Sequence, residues 1–567
     1  MKVLRATVLV LGAVLIAALN LAAQSPGRNA ARVDPMTASI KGLVTTADTG
    51  APVRGAEVRL SSRGSYSRLV TTDADGLFNL SDLPSGEYQL TVSRGGFTSM
   101  IFGQRRPLEA PALIKLSEGE SFTANVALTR GGAIRGRIVD EFGEPIAGTR
   151  LQVLRSRMVR GQRRLQSMGP GDQTDDMGEF RVYGLPPGDY YVTASTGPAD
   201  SVRRGPPIYY PGTPSFTEAQ SITLAVGTEA SADFQLQPFR NARVSGIVFN
   251  ASGAPVQASV QLSSEAVGLG PAFEQAGNPQ AFTLIADTRT DGRFAIEDVP
   301  PGPYTLTANS SFVAGVIAGR EAGNPDAGPN KAMQDIMERG PETAALAIVV
   351  SGDDISDIAL TTRRGGILSG TFATESGVVR PLPQGLSADV RSPSNASGMR
   401  MMQGGRNNTF RVAGMIGPFS LDITGIPEGW AVSQITVDGN DVTDEPIDLK
   451  GANATARVVL TDRITTISGM VQSRRERSRY NVVVFPDDSA RWTYPTRYVR
   501  AVRADDQGRF SIPGLPANER YYAVAVDYLE DGEEQDPQFL ERLRGQAMTF
   551  SLGEGEHRSV VLDPIAR

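Results

Sequence analysis

IKGLV (40–44), IRGRI (134–138), VSGIV (244–248), LSGTF (368–372) and ISGMV (467–471) are five occurrences of one pattern, apolar-x-Gly-x-apolar. Each is followed by an Asp/Asn-rich stretch that ends in phenylalanine: DADGLF at Phe78, DDMGEF at Phe180, RTDGRF at Phe294, the degenerate RNNTF at Phe410 and DDQGRF at Phe510. An apolar-Pro-x-Gly-x-Tyr stretch comes next, as LPSGEY at Tyr88, LPPGDY at Tyr190 and VPPGPY at Tyr304, then drifting to MIGPF at Phe419 and LPANERY at Tyr521. Motifs that return in the same order at the spacing of a small domain mean that one domain was copied about five times.

Within the first copy, residues 39–45 alternate around Ile40, Gly42 and Val44, the period-two signature of a strand with one buried face. A glycine on that face leaves room for another side chain or backbone, or marks a bulge. GAPVRG (50–55) is a turn, and 56–60 alternates again as a second strand. Asp73, Asp75 and Gly76 supply a hairpin turn, with Phe78 beyond it as a core plug. Pro84 and Gly86 make the turn that launches the strand from Tyr88. Each copy closes with a further pair of strands around Gly119, Gly227, Gly352, Gly451 or Gly553, giving about seven strands per copy. Short strands between Gly/Pro turns, with almost no helical period, predict an all-β protein.

The expected architecture is a tandem array of about five Ig-like or transthyretin-like β-sandwiches, bounded at 37–130, 131–238, 239–364, 365–462 and 463–567. Two short helical insertions are expected, over 330–339 in the third copy and 537–544 in the fifth, the latter capped by Asp536 with Pro537 at its first position.

Composition narrows the chemistry. The chain has 567 residues, no cysteine and one histidine, His557. That rules out disulfides, a cysteine nucleophile, a paired-histidine zinc site and a Ser-His-Asp triad in every copy. A formal charge of −6 argues against a general nucleic-acid binder. Lys2 and Arg5 precede an apolar run over 6–23, which reads as a cleaved export signal at 1–23 followed by a linker at 24–36. No cysteine follows the run for lipid attachment, and no later stretch is apolar enough to span a membrane.

The x-Gly-x strand, the Gly-x-Pro-(Val/Ile) turn, Asp-x-x-Gly-x-Phe and Leu-Pro-x-Gly-x-Tyr together resemble carboxypeptidase regulatory-like domains. These are transthyretin-like sandwiches, similar also to starch-binding-fold and Cna B-type modules. The resemblance is strong in the first three copies. The fourth lacks the turn glycine before Phe410 and the proline before Gly417, and the fifth lacks the second-strand Gly-x-Pro turn. It implies exported or envelope-associated bacterial proteins, in some cases carbohydrate-binding, located in the periplasm, outer envelope or extracellular space. It implies no peptidase.

Candidate sites follow from what differs between copies. Arg155, Arg157, Arg160, Arg163 and Arg164 crowd one loop of the second copy, and Arg474, Arg475, Arg477 and Arg479 crowd the fifth, as patches for anionic polysaccharide or lipid headgroups. Trp492, Tyr494 and Tyr498, with Tyr209 and Tyr210, are candidate sugar-stacking platforms, against the plain alternative of core packing. Calcium on the Asp73–Asp75, Asp175–Asp176 and Asp505–Asp506 turns competes with ordinary turn chemistry, which fits better. An isopeptide bond of the Cna B kind would need Lys41 and Asn125. Lys41, however, falls on the opposite strand face from Ile40 and Val44.

No cofactor and no catalytic residue are expected. The function expected is a non-enzymatic, exported interaction or scaffold element with a polysaccharide or envelope protein as partner. The alternatives are a carbohydrate-binding protein and an accessory subunit of an envelope enzyme or transporter.

Overall fold

The computed structural model describes residues 37–566 apart from 63–65, 160, 196–206, 238, 265–282, 311–335, 337, 376–379, 392–400, 405–407, 473–479 and 494–495. The expected export signal and linker, the arginines between 474 and 479, and most of the 330–339 insertion lie outside the described residues. Of that insertion, Ile336, Glu338 and Arg339 are described and helical. By contact density the chain falls into two units. The smaller holds 1–94, 99–104 and 111–128, and the larger holds 95–98, 105–110 and 129–567.

In the smaller unit the strand Ala38–Thr46 lies at the centre of one sheet. It pairs antiparallel with Leu77–Leu83 and parallel with Ser121–Thr123 and Val126–Leu128. The second sheet runs Ser67–Thr71, Glu57–Ser62, Gly86–Ser93 and then Met100–Ile101 and Ile114–Leu116. Alternate residues face inward from both sheets, so Ile40, Val44, Val58, Leu60, Phe78, Leu90 and Val92 are buried together. The same pairing of a first strand, antiparallel to the Phe strand and parallel to the last, recurs in the larger unit for Gly132–Val139, Ala242–Phe249, Gly366–Thr374 and Thr466–Val471. The all-β tandem array is what the chain forms. The helix of the fifth copy runs Pro537–Arg544, capped by the Asp536 side chain on Gln538 N.

The recurrent glycine sits where two other groups come close. A Cβ on Gly42 would stand 2.0 Å from the Ala124 carbonyl oxygen and 2.8 Å from the Phe78 ring. On Gly469 it would stand 1.9 Å from the Val560 oxygen and 3.1 Å from Phe510. The glycine therefore makes the space that the core phenylalanine and the last strand share. Its partner residue on the Phe strand is the phenylalanine itself, Gly42 against Phe78 and Gly469 against Phe510.

The tyrosine of the third motif has a role beyond its turn. Tyr88 donates its hydroxyl to Pro84 O at 2.7 Å, Tyr304 to Pro300 O at 3.0 Å and Tyr521 to Pro516 O at 2.8 Å, and Tyr190 donates to Pro186 O. The proline bends the chain and exposes a carbonyl that the buried phenol then uses, so a large ring is interred without stranding its hydroxyl. The fourth copy has Phe419 at this position and no hydroxyl to donate. Among the described residues its second sheet pairs Ser387–Arg391 with Ser420–Thr424, while Met401–Gly404 joins the other sheet beside Thr409–Met415.

The motif aspartates are occupied by their own turns. Asp73 Oδ1 accepts from Asp75 N and Leu77 N, Asp175 Oδ1 from Met177 N and Glu179 N, and Asp505 Oδ1 from Gln507 N and Arg509 N. These bonds to Arg509 N, together with the Arg509 side chain, hold the Asp505 carboxyl below its ordinary range.

Two outcomes are expected. Gly469→Ala should destabilise the fifth sandwich by about 2–3 kcal/mol, the cost of overpacking against backbone that cannot move aside, read as the urea midpoint of Trp492 emission in a Trp430→Phe background. Burial pushes the Tyr190 phenol up to about 12 and raises Tyr304 and Tyr521 as well. Their stabilising contribution is whole below pH ~10, where unfolded tyrosine begins to ionise, and is lost as the pH rises through the raised values. Absorbance at 295 nm should therefore show, after the exposed tyrosines have ionised, a later step that coincides with loss of β-sheet circular dichroism, and completion of all tyrosine ionisation in a still-folded chain would contradict it.

Candidate functional site

The second sandwich carries a hairpin of 10- and 12-residue strands, Arg150–Val159 and Gln162–Gln173, where the first has strands of 6 and 5. Its outer half puts Arg155 and Arg157 on one face, the same parity in the strand. Leu154, Leu165 and Tyr209 close over the other face with Tyr191 and Phe216. In the fifth sandwich the chain leaves the strand Glu519–Val526 and runs through DYLEDGEEQD (527–536) into the helix. Phe539, Leu540 and Leu543 of that helix pack on Val483, Phe485, Trp492 and Val524, which gives the fifth sandwich a second core outside its sheets.

The arginine hairpin and the acidic run meet inside the larger unit. Arg155 Nη2 lies 2.5 Å from Glu530 Oε1, with both side chains largely withdrawn from solvent, at 13% and 20% exposed. Arg157 donates to Asp531 O at 3.0 Å, Gly161 N to Gln535 Oε1 at 2.8 Å, and Arg163 Nη2 to Asp536 Oδ2 at 2.8 Å and Gln538 Oε1 at 3.1 Å. Gly532 turns the run under the hairpin at φ 88°, and a Cβ there would stand 2.5 Å from Met158 O. Both its conformation and the close approach call for glycine.

The segment 105–110 joins the same region. Asp531 N donates to Leu108 O at 2.9 Å, Tyr528 Oη to Pro107 O at 2.9 Å and Arg503 to Ala110 O at 2.8 Å. Arg106 pairs with Asp527 at 3.1 Å, and the buried Glu109 lies 3.6 Å from Arg503. Burial, then the neighbouring Glu530, raises the Tyr528 phenol. Burial raises the Glu534 carboxyl in the same run.

One aromatic candidate of the fifth copy, Tyr498, lies at a different joint. Arg497 grips Asp444 of the fourth sandwich through two bonds of 2.9 and 3.1 Å and also donates to Val432 O at 3.0 Å. Tyr498 Oη completes the cluster, 2.7 Å from Asp444 Oδ2. Burial and this bond push the Tyr498 phenol up to about 12. Burial alone would lower Arg497, but Asp444 outweighs it and leaves the guanidinium raised. Arg463 extends the joint, lying 2.9 Å from Glu375 and 2.9 Å from Glu554.

The remaining expectations sort as follows. Trp492 is 2% exposed, donates its indole N–H to Pro486 O at 2.7 Å and meets Phe485 edge-on, so its faces are spent inside the fifth sandwich. Tyr209 is buried, and Tyr210 is part-buried edge-on to Phe234. Arg164 is part-buried opposite Arg157 in the hairpin register. Tyr494 and Arg160 lie outside the described residues. Lys41 is exposed, and Asn125 accepts from Leu43 N at 3.0 Å. Sequence reasoning overlooked Glu530, Asp444 and Arg497, and gave Asp536 its capping role alone. The one available signal was the acidic run 527–536, opposite in sign to the arginine loop. Among the described residues no group of three or more His, Asp or Glu gathers as a metal site, and no helix is long and apolar enough to cross a membrane.

The family model of the carboxypeptidase regulatory-like domain matches residues 39–129 and 133–237. No curated protein matches the chain. Among solved structures, the Bacillus anthracis TIE protein aligns at 14% identity and TM-score 0.15 over 57% of this chain, which spans half of that protein. A Streptococcal ancillary pilin aligns at 12% and 0.20 over 57% of this chain and 98% of its own. The minor pilin GBS52 of Streptococcus agalactiae aligns at 15% and 0.19 over 35% and 95%.

Removing either partner of the Arg497–Asp444 pair should cost about 1–3 kcal/mol, with a coupling energy of about 1–2 kcal/mol in a double-mutant cycle. Additive losses in urea unfolding of Arg497→Ala and Asp444→Ala would show that the two do not act as a pair.

Proposed function

We propose that this chain, which opens with two carboxypeptidase regulatory-like domains, is an exported, non-enzymatic array of β-sandwiches serving as a scaffold or interaction element of the cell envelope or extracellular space. One observation supports this reading above the others. Among the described residues, those common to the copies are consumed in building each sandwich, and several that distinguish copies, Arg155 and Arg497 among them, are consumed in joining sandwiches. Glycine, phenylalanine, tyrosine and the turn aspartates all have structural partners. Arg155, Arg163, Arg497 and Tyr498 hold one sandwich to another. Such a division of labour suits a protein whose task is to hold a spatial arrangement.

The export half of the proposal rests on the charged and apolar pattern of residues 1–23. Full-length protein should be recovered from an osmotic-shock fraction or the medium, beginning near residue 24, and should bind no member of a glycan array. Recovery from the cytosol would remove the export assignment. Saturable glycan binding would replace the scaffold by carbohydrate recognition.

A further inference from the structure

The second and fifth sandwiches are separated by two others in the chain, yet they are joined. The chemistry of the joint differs from that of the sandwiches it connects. Among the described residues each apolar cluster of the larger unit lies within one sandwich, whether in the second, third, fourth or fifth copy. What crosses from the hairpin to the 527–538 segment is ionic or hydrogen-bonded: Arg155 to Glu530, Arg157 to Asp531 O, Gly161 N to Gln535, and Arg163 to Asp536 and Gln538. Arg106–Asp527 and Arg503–Glu109 add two more charge contacts where 105–110 joins the same segment.

We infer that this joint is an electrostatic latch, a contact that can open and close while both sandwiches stay folded. Three features support the inference. Parting the two surfaces would separate charges that water can solvate, and would leave every apolar cluster whole. The segment is anchored on its own side by Phe539, Leu540 and Leu543, so the acidic run stays presented after release. The two surfaces carry opposite charge, Arg155 facing Glu530 and Arg163 facing Asp536, with Arg157 on the Asp531 backbone oxygen, so association is favoured at low ionic strength and weakened as salt screens the outer pair. Arg163 is 55% exposed and responds to salt first, whereas the withdrawn Arg155–Glu530 pair is the bolt. The latch requires nothing of the chain's location or partners.

The absence of cysteine allows a direct test on the full chain. Single cysteines at the exposed positions Asp176 and Gln546 would carry a donor and acceptor dye, one on each sandwich. In low salt Glu530→Arg and Arg155→Glu, each placing like charges face to face, should lower transfer efficiency. The double swap Arg155→Glu/Glu530→Arg should restore most of it. Salt should lower the efficiency of the unmodified pair, and the Trp492 emission of every variant should keep its folded position. Unchanged efficiency in both single variants, no recovery in the double swap, or loss of the folded Trp492 emission would each overturn the latch.

Discussion

Everything in the array rests on a place where no side chain fits. In each sandwich the first strand must lie within van der Waals reach of a backbone carbonyl on the last strand, of a phenylalanine ring on the strand opposite, or of both. Only glycine permits that approach, and once it is in place the phenylalanine can fill the centre of both sheets. The five copies keep this arrangement through extensive drift elsewhere. The fourth has Phe419 where the others have the anchoring tyrosine, yet Gly370 still sits under the Phe410 ring. The close approach therefore persists where the hydroxyl anchor is absent.

The tyrosine anchor shows how a turn motif couples local and tertiary structure. Proline and glycine set the bend, and the bend aims a carbonyl inward. A buried phenol takes it four residues later, or five in the last copy. No water is needed to satisfy either group. A side chain that could have brought an unmatched polar atom into the core instead fixes the strand to its own turn.

How much of this could be read in the sequence depended on the range over which each residue acts. The strands, the turn aspartates, the role of Phe78 and the space at Gly42 were legible, because period-two alternation and turn chemistry are local. The phenol bond was not, because the proline and glycine of that motif already had a sufficient explanation in φ. Trp492 offered two readings, core packing and the less expected sugar platform. The choice between them lay in a backbone carbonyl, Pro486 O, that leaves no trace in residue identity. Arg155 and Glu530 are 375 residues apart, so their pairing depends on how whole sandwiches are placed, which periodicity and spacing do not encode. The charge of the arginine loop is legible in the sequence, whereas the partners of Arg155, Arg157 and Arg163 on the 527–538 segment are not.

The parallel pairing of first and last strands carries a mechanical consequence. In Ala38–Thr46 beside Ser121–Thr123 and Val126–Leu128, and in its four counterparts, the chain enters a sandwich at one end of the ladder and leaves at the other. Tension applied along the chain then slides the two strands past each other and strains their evenly spaced hydrogen bonds together, where an antiparallel pair would peel open one bond at a time. In each module the ladder between first and last strands is therefore loaded in shear when the module's two ends are pulled apart.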